Sequence, residues 1–343
     1  MTVPKFAPVR ACLFDMDGLL LDTEDIATHC HTLVLAKYGR PALPPSIKAK
    51  MMGRNGTAAT QILQDWAQLP ITNAEYRKEV VEHQKGLFSN AAPLPGVEIL
   101  LKDLASTKVW EKHSKAEGGP QRVHIALATS SSSETFKVKT ARLQGLFDLF
   151  EPERVVLGDD PRLASGRGKP MPDIYQLALK SINDSLSPGE EPITPAECLV
   201  FEDSVTGVEA GRRAGMRVVW CPLPTLAKEY AGMEAEVLAG RTNSAGEGVD
   251  EHQLGEIGDG WAEQVASLVD FPYEKYGIVI PQEDEDEKQI NGVKVNGVQA
   301  NGANVSGTDA NERKKNNADA NGPKEHKAKV NGASEDVVEV SGT

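Results

Sequence analysis

Two carboxylates stand two residues apart, Asp15 and Asp17, at the end of the short apolar run Ala-Cys-Leu-Phe, and Gly18 follows them. Buried acidic groups at the end of an apolar strand are costly unless a cation or a substrate uses them. Gly18 allows the chain to turn away sharply at that point. A second acidic pair, Glu202-Asp203, closes the run Leu-Val-Phe, and neighbouring parallel strands would bring Asp203 near Asp15. Oxygen ligands of this kind suit magnesium, which keeps several waters and takes one or two carboxylates plus a phosphate oxygen. A third apolar run ends in Thr129-Ser130-Ser131-Ser132. Hydroxyls and free amides just before a helix make a phosphate cradle, although a serine run alone is more often a solvated loop. Lys169-Pro170 lies between the serine run and the Glu-Asp pair and, taken alone, says nothing.

These groups need elements to hold them. Short aliphatic runs recur at residues 10–14, 124–128, 155–157, 198–201 and 217–221. Runs of this length and composition suit strands buried on both faces of a parallel sheet. Helical patterns separate them at 133–144, 172–181 and 207–214. Strand and helix alternation predicts an α/β fold, a doubly wound parallel sheet. Between Thr23 and Pro95 the rhythm breaks: helices are expected at 25–38, at 57–68 with Thr57 as N-cap, and at 73–88, with no strand. The expected organisation is an α/β core from residues 1–24 and 96–281, an all-helical insertion at 25–95, and a tail at 282–343. The tail carries no aromatic residue and cycles through Asn-Gly pairs. It cannot bury enough apolar surface to offset its ordering entropy, so it is expected to be disordered. Polar stretches at 106–121, 185–195 and 241–260 are expected to be surface loops.

Composition narrows the class. The chain has 343 residues, of which 40% are hydrophobic, enough for a sizeable core, and a net charge of −13. Such acidity argues against nucleic acid or an anionic membrane as the main partner. Four scattered cysteines, without a Cys-x-x-Cys pair, argue against a disulfide framework and for a reducing compartment. No secretory leader or membrane span is apparent, so a cytoplasmic location is expected. The seven histidines show no metal-ligand spacing.

In this order, Asp-x-Asp-Gly, Thr-Ser, Lys-Pro and Glu-Asp, each at a strand end, resemble the haloacid dehalogenase-like (HAD) hydrolase superfamily. The stretch Phe14-Asp-Met-Asp-Gly-Leu-Leu-Leu-Asp-Thr-Glu24 is most similar to the subgroup of pseudouridine-5′-phosphatases, 2-deoxyglucose-6-phosphatases and glycerol phosphatases. The resemblance implies that the helical insertion is a cap over the active site. It implies that Asp15 attacks phosphorus and becomes a phosphoaspartate. Asp17 protonates the leaving alkoxide and then takes a proton from water. Magnesium is held by the Asp15 carboxylate, the Asp17 backbone carbonyl and Asp203, with Glu202 as a further contact. Thr129 donates to a phosphate oxygen, and Lys169 neutralises charge on the nucleophile and the transferring group. Ser130 and Gly18 complete the phosphate side. Arg54, in the cap loop 51–57, is the candidate contact to the rest of the substrate, and Glu24 either polarises the pocket or simply begins a helix.

The second aspartate favours phosphoryl transfer over carbon–halogen cleavage, which has no alkoxide to protonate. The expected activity is a magnesium-dependent phosphatase acting on a small phosphorylated metabolite: a sugar, polyol or nucleoside monophosphate. A monomer is expected, with no nucleic acid and no membrane. A phosphosugar mutase similar to β-phosphoglucomutase shares every motif and differs in how fast water attacks the phosphoaspartate. A non-catalytic binding protein on the same scaffold is disfavoured by the intact Asp15, Asp17, Lys169 and Asp203.

Overall fold

The structure is a computed structural model and describes residues 6–112, 119–242 and 254–281. Six parallel strands form one sheet in the order β3-β2-β1-β4-β5-β6. These are β1 (Ala11–Phe14), β2 (His124–Ala128), β3 (Val155–Val156), β4 (Cys198–Glu202), β5 (Arg217–Trp220) and β6 (Ala262–Gln264). β1 is central, with Ala11 in register with His124 on one side and Cys198 on the other. Every residue of β1, β2, β4 and β5 is buried, as the unbroken apolar runs require.

The period-two geometry of a strand sends alternate side chains to opposite faces. Cys12 and Phe14 join one core cluster, with Leu127, Leu199 and Phe201. Ala11 and Leu13 join the other, with Ala126, Val200 and Val218. Helix α5 (Val97–Ser106) covers the first face through Val97, Leu100, Leu101 and Leu104. Helices α8 (Asp173–Asp184) and α9 (Val205–Arg213) cover the second. α6 (Ser133–Thr140) and α7 (Gln144–Phe147) follow β2, and α10 (Pro224–Glu229) and α11 (Glu234–Ala239) follow β5.

The stretch without strands is helical: α1 (Glu24–Lys37), α2 (Pro45–Met51), α3 (Gly56–Ala67) and α4 (Asn73–Leu87). It has an apolar cluster of its own, built on Val34, Leu35, Leu63, Tyr76 and Val80. Thr72 and Glu75 close a reciprocal capping box on α4.

Four elements differ from the sequence expectation. Asn55, not Thr57, caps α3, accepting from the Ala58 amide at 3.0 Å. α2 is too short to show a helical period. β6 is a three-residue edge strand, Ala-Glu-Gln, with no apolar signature. α9 begins at Val205 rather than 207, because Ser204 caps it through the Gly207 amide. Gly207 belongs there because a Cβ would fall 1.9 Å from the Glu202 carboxyl carbon. Of the expected surface loops, 107–112 is a 3-10 helix. The portions 113–118 and 243–253, and the tail at 282–343, lie outside the described residues. Among the described residues no helix is long and apolar enough to cross a membrane.

Candidate active site

β1, β2 and β4 are adjacent and parallel, so their carboxyl ends emerge together, the usual ligand position in a doubly wound sheet. Asp15 and Asp203 follow β1 and β4 directly, and Glu202 is the last residue of β4. The three carboxylates are buried, and one oxygen from each lies within 4.8 Å of the others. Burial pushes the Asp15 carboxyl up to about 8; Lys169 pulls against that shift, while Glu202 and Asp17 add to it. Burial likewise drives Asp203 well above the usual carboxylate range, reinforced by Asp15, Glu202 and Glu24.

Lys169 is the one cation inside this cluster among the described residues. Its Nζ pairs with Asp15 and stands 2.6 Å from Glu202 Oε1. Burial works against its charge, but Asp15 and Glu202 outweigh that cost and raise its pKa. Glu202 is further held by the Tyr175 hydroxyl and by Ser204 Oγ at 3.0 Å. The Trp220 indole donates to the Asp203 carbonyl at 2.8 Å and fixes the backbone there. Asp203 Oδ2 is buried and, among the described residues, has no hydrogen-bond partner. A buried carboxylate oxygen left unpaired costs energy, and a hard cation would satisfy it. The donor set therefore fits a magnesium ion held by Asp15 and Asp203, with Glu202 adjacent.

Gly18 makes this arrangement possible. Its φ is +79°, and a Cβ there would stand 2.2 Å from Asp203 Oδ2. Its place in the site is therefore close approach to Asp203 rather than a side-chain contact. Glu24, the first residue of α1, packs against the same point, 2.9 Å away through Cγ. Burial raises its pKa, partly countered by Lys48, whose Nζ is 3.6 Å from Glu24 Oε2.

Asp17 is gripped separately. Thr23 Oγ1 and Ser131 Oγ each donate to it at 2.7 Å, and Lys139 Nζ is 2.5 Å from Oδ1. Burial opposes its ionisation, but Lys139 leads the interactions that hold it below the usual carboxylate range. Lys139 is 5% exposed, donates to Ser131 Oγ at 2.9 Å and lies 4.3 Å above the Phe88 ring. Sequence reasoning missed Lys139. Its only signal is position: it lies seven residues after Ser132, the N-cap of α6, on the face that overlooks the preceding loop.

The hydroxyls divide their work in a way the sequence does not specify. Thr129 is buried; its Oγ1 accepts from the Ser131 amide at 3.1 Å and donates to Asp17 Oδ2 at 3.5 Å. Ser130 donates to the Gly53 carbonyl at 2.8 Å, tying the loop after β2 to the loop before α3. Ser131 is the hydroxyl that meets Asp17. Arg54 lines the cavity above the site; its Nε donates to the Lys50 carbonyl, and its charge faces Glu209 and Tyr230. Asp159 and Asp160 hold local structure, Asp159 accepting from the Ser133 amide and Asp160 pairing with Arg162.

A cavity of about 1100 Å³ opens between the strand ends and the helices α1 to α4. Asp15, Asp17, Lys139 and Lys169 line one side, and Glu24, Lys48, His31 and Tyr76 line the other.

The model of haloacid dehalogenase-like hydrolases matches residues 9–215, which hold all four motifs; three lie at strand ends, while Lys169-Pro170 lies in the segment before α8, 13 residues after β3, rather than at a strand end as expected. The chain belongs to that family. An uncharacterised protein of Schizosaccharomyces pombe is 37% identical over 79% of this chain and 96% of its own length. A Saccharomyces cerevisiae protein described as a probable pseudouridine-5′-phosphatase is 40% identical over 68% of this chain and 90% of its own. A family IA HAD hydrolase of Entamoeba histolytica superposes with a TM-score of 0.53 at 17% identity, covering 78% of this chain and 98% of its own. That last likeness concerns the fold.

Proposed function

We propose that this HAD-family enzyme, a phosphoric monoester hydrolase, is a magnesium-dependent phosphatase of small phosphomonoesters that works through a phosphoaspartate on Asp15. The observation that carries the reading is the buried cluster of Asp15, Glu202 and Asp203 around Lys169, with Asp203 Oδ2 left unpaired. Magnesium held by Asp15, Asp203 and the Asp17 carbonyl would offset carboxylate–phosphate repulsion. Asp15 Oδ forms the bond to phosphorus as the ester oxygen departs with the bonding pair. Asp17, held ionised by Lys139, must first take up a proton as the substrate binds; it delivers that proton to the departing oxygen and afterwards takes one from the water that attacks the acyl phosphate. Lys169 counters charge on Asp15 and on the phosphoryl oxygens. Thr129, Ser130 and the amides after β2 supply donors to the phosphate. The helices α1 to α4 act as the cap, covering the cavity and excluding water from it. Four free cysteines agree with a reducing, cytoplasmic setting.

Phosphate release from a panel of sugar, polyol and nucleoside monophosphates tests this reading. Turnover should require magnesium, cease with EDTA, and fall at least a thousandfold in Asp15→Asn. Retained turnover in that variant removes Asp15 as nucleophile. Transfer of the phosphoryl group back to the sugar without phosphate release would make the enzyme a mutase.

A further inference from the structure

The cavity wall changes character along α1. Glu24, Thr28 and His31 all line the cavity, and spacings of four and three residues put them on one helix face. The Glu24 end abuts the carboxylates, since the point 2.9 Å from its Cγ is also 2.2 Å from Asp203 Oδ2. Seven residues at 1.5 Å per residue carry the wall about 10 Å along the helix from Glu24. At that far end His31 Nδ1 and the Tyr76 hydroxyl are 2.6 Å apart, with ring planes 12° from parallel. Burial, together with the nearby Lys48 charge, pushes His31 down to about 4. The ring is therefore neutral near pH 7. Lys48 is itself turned to Glu24, donating to its carbonyl at 3.0 Å, and Arg77, which also lines the cavity, donates to Thr57 Oγ1 at 3.0 Å.

A neutral imidazole bonded to a phenol keeps one donor and one acceptor for a third party. If the phenol donates to Nδ1, the Nε2 hydrogen and a phenolic lone pair remain. In the other tautomer, Nε2 accepts and the hydroxyl donates. Such a pair recognises an uncharged group that both gives and takes a hydrogen bond, not a second phosphate. A three-carbon polyol extends only about 5 Å from its ester oxygen at bonds of about 1.5 Å, and falls short of it.

We infer that His31 and Tyr76 form a distal subsite for an uncharged, hydrogen-bonding ring on the substrate's alcohol, about 10 Å along α1 from its Glu24 end. The preferred monoester then carries a hydroxylated or amide-bearing ring beyond its first few carbons. This inference rests on the phosphatase reading.

The test uses the full-length protein with magnesium. It compares kcat/KM for uridine 5′-monophosphate, which reaches the subsite, with that for glycerol 3-phosphate, which does not. His31→Phe and Tyr76→Phe preserve the packing volume. Each should lower the ratio of the two kcat/KM values about fivefold or more, the worth of one or two hydrogen bonds. The double variant, which loses both contacts, should fall at least as far as the larger single loss. His31→Gln should recover part of the ratio. A ratio within twofold of wild type, whether both rates hold or fall together, overturns the inference, as does a wild type that prefers glycerol 3-phosphate. Should the wild type hydrolyse no monoester, the phosphatase reading fails separately. Calorimetric affinities of the same two esters for Asp15→Asn then read the subsite, with the same expected and overturning ratios.

Discussion

Asp203→Asn separates a cation ligand from a merely structural carboxylate. Asp203 lies with Asp15 and Glu202 in a cluster whose ligand oxygens are within 4.8 Å of one another, against one lysine. With an effective dielectric constant of about 20, two like charges at that separation repel by about 3 kcal/mol. Lys169 offsets one of the two repulsions on Asp203, so the variant relieves about one pair. Protonation caps the gain: Asp203 is driven well above the usual carboxylate range and can shed the repulsion by binding a proton. A carboxyl raised in the folded state leaves the fold unpenalised at low pH and costs stability as pH rises through its folded-state value. Asp15, pushed up to about 8, follows the same sign. The comparison therefore belongs at pH 8 to 9. In EDTA, Asp203→Asn should melt higher than wild type, by about 2–4 °C for each kcal/mol relieved. Magnesium at a hundred times its Kd should stabilise wild type by about 2.7 kcal/mol and reverse the order, while the variant gains little. The magnesium-induced shift of wild type should also grow from pH 6 to pH 9. A variant that melts lower than wild type in EDTA and keeps the full magnesium response would refute the reasoning, because Asp203 would then be a satisfied structural group.

Two further outcomes follow from groups outside that cluster. Lys139→Met should change alkyl phosphate turnover at least about tenfold more than that of p-nitrophenyl phosphate, whose leaving group needs no proton, and should move its pH dependence upward, because Asp17 loses the charge that keeps it ionised. Asp17, as the proton donor, is worth about 10²–10⁴ in rate, and Lys139 holds it from Oδ1. Equal losses on both substrates would show Lys139 to be structural. His124, 1% exposed, is pushed down to about 4 chiefly by burial, with Glu190 pulling it back. The unfolded chain protonates this histidine first, so stability should fall by about 2 kcal/mol between pH 7 and pH 5 on its account. Urea unfolding of wild type and His124→Gln at the two pH values checks this; an unchanged pH slope in the variant would assign the acid sensitivity elsewhere.

What the sequence disclosed is governed by whether a residue's cost is visible locally. Asp15, Glu202 and Asp203 announce themselves because each adjoins an apolar run in which a charge is anomalous. The same runs disclose the four inner strands, whose burial on both faces leaves no polar alternation, and the two-residue edge strand β3. β6 does not show, since an edge strand of three residues, half-buried at Ala262 and Glu263 and exposed at Gln264, needs no apolar pattern. Strand order is also silent, because crossover connections of this length permit β1 to take several places in the sheet.

Lys139 illustrates the harder limit. It meets Asp17 across 122 residues of chain, and nothing around it in α6 distinguishes it from Lys137, two positions earlier and less buried. The hydroxyls after β2 pose the same problem at short range. Thr129, Ser130 and Ser131 are chemically equivalent in sequence. The turn out of the sheet sends Ser130 to the Gly53 carbonyl and Ser131 to Asp17. The phosphate role that the sequence suggests for Ser130 thus competes with a tie to the helical segment that only the fold reveals.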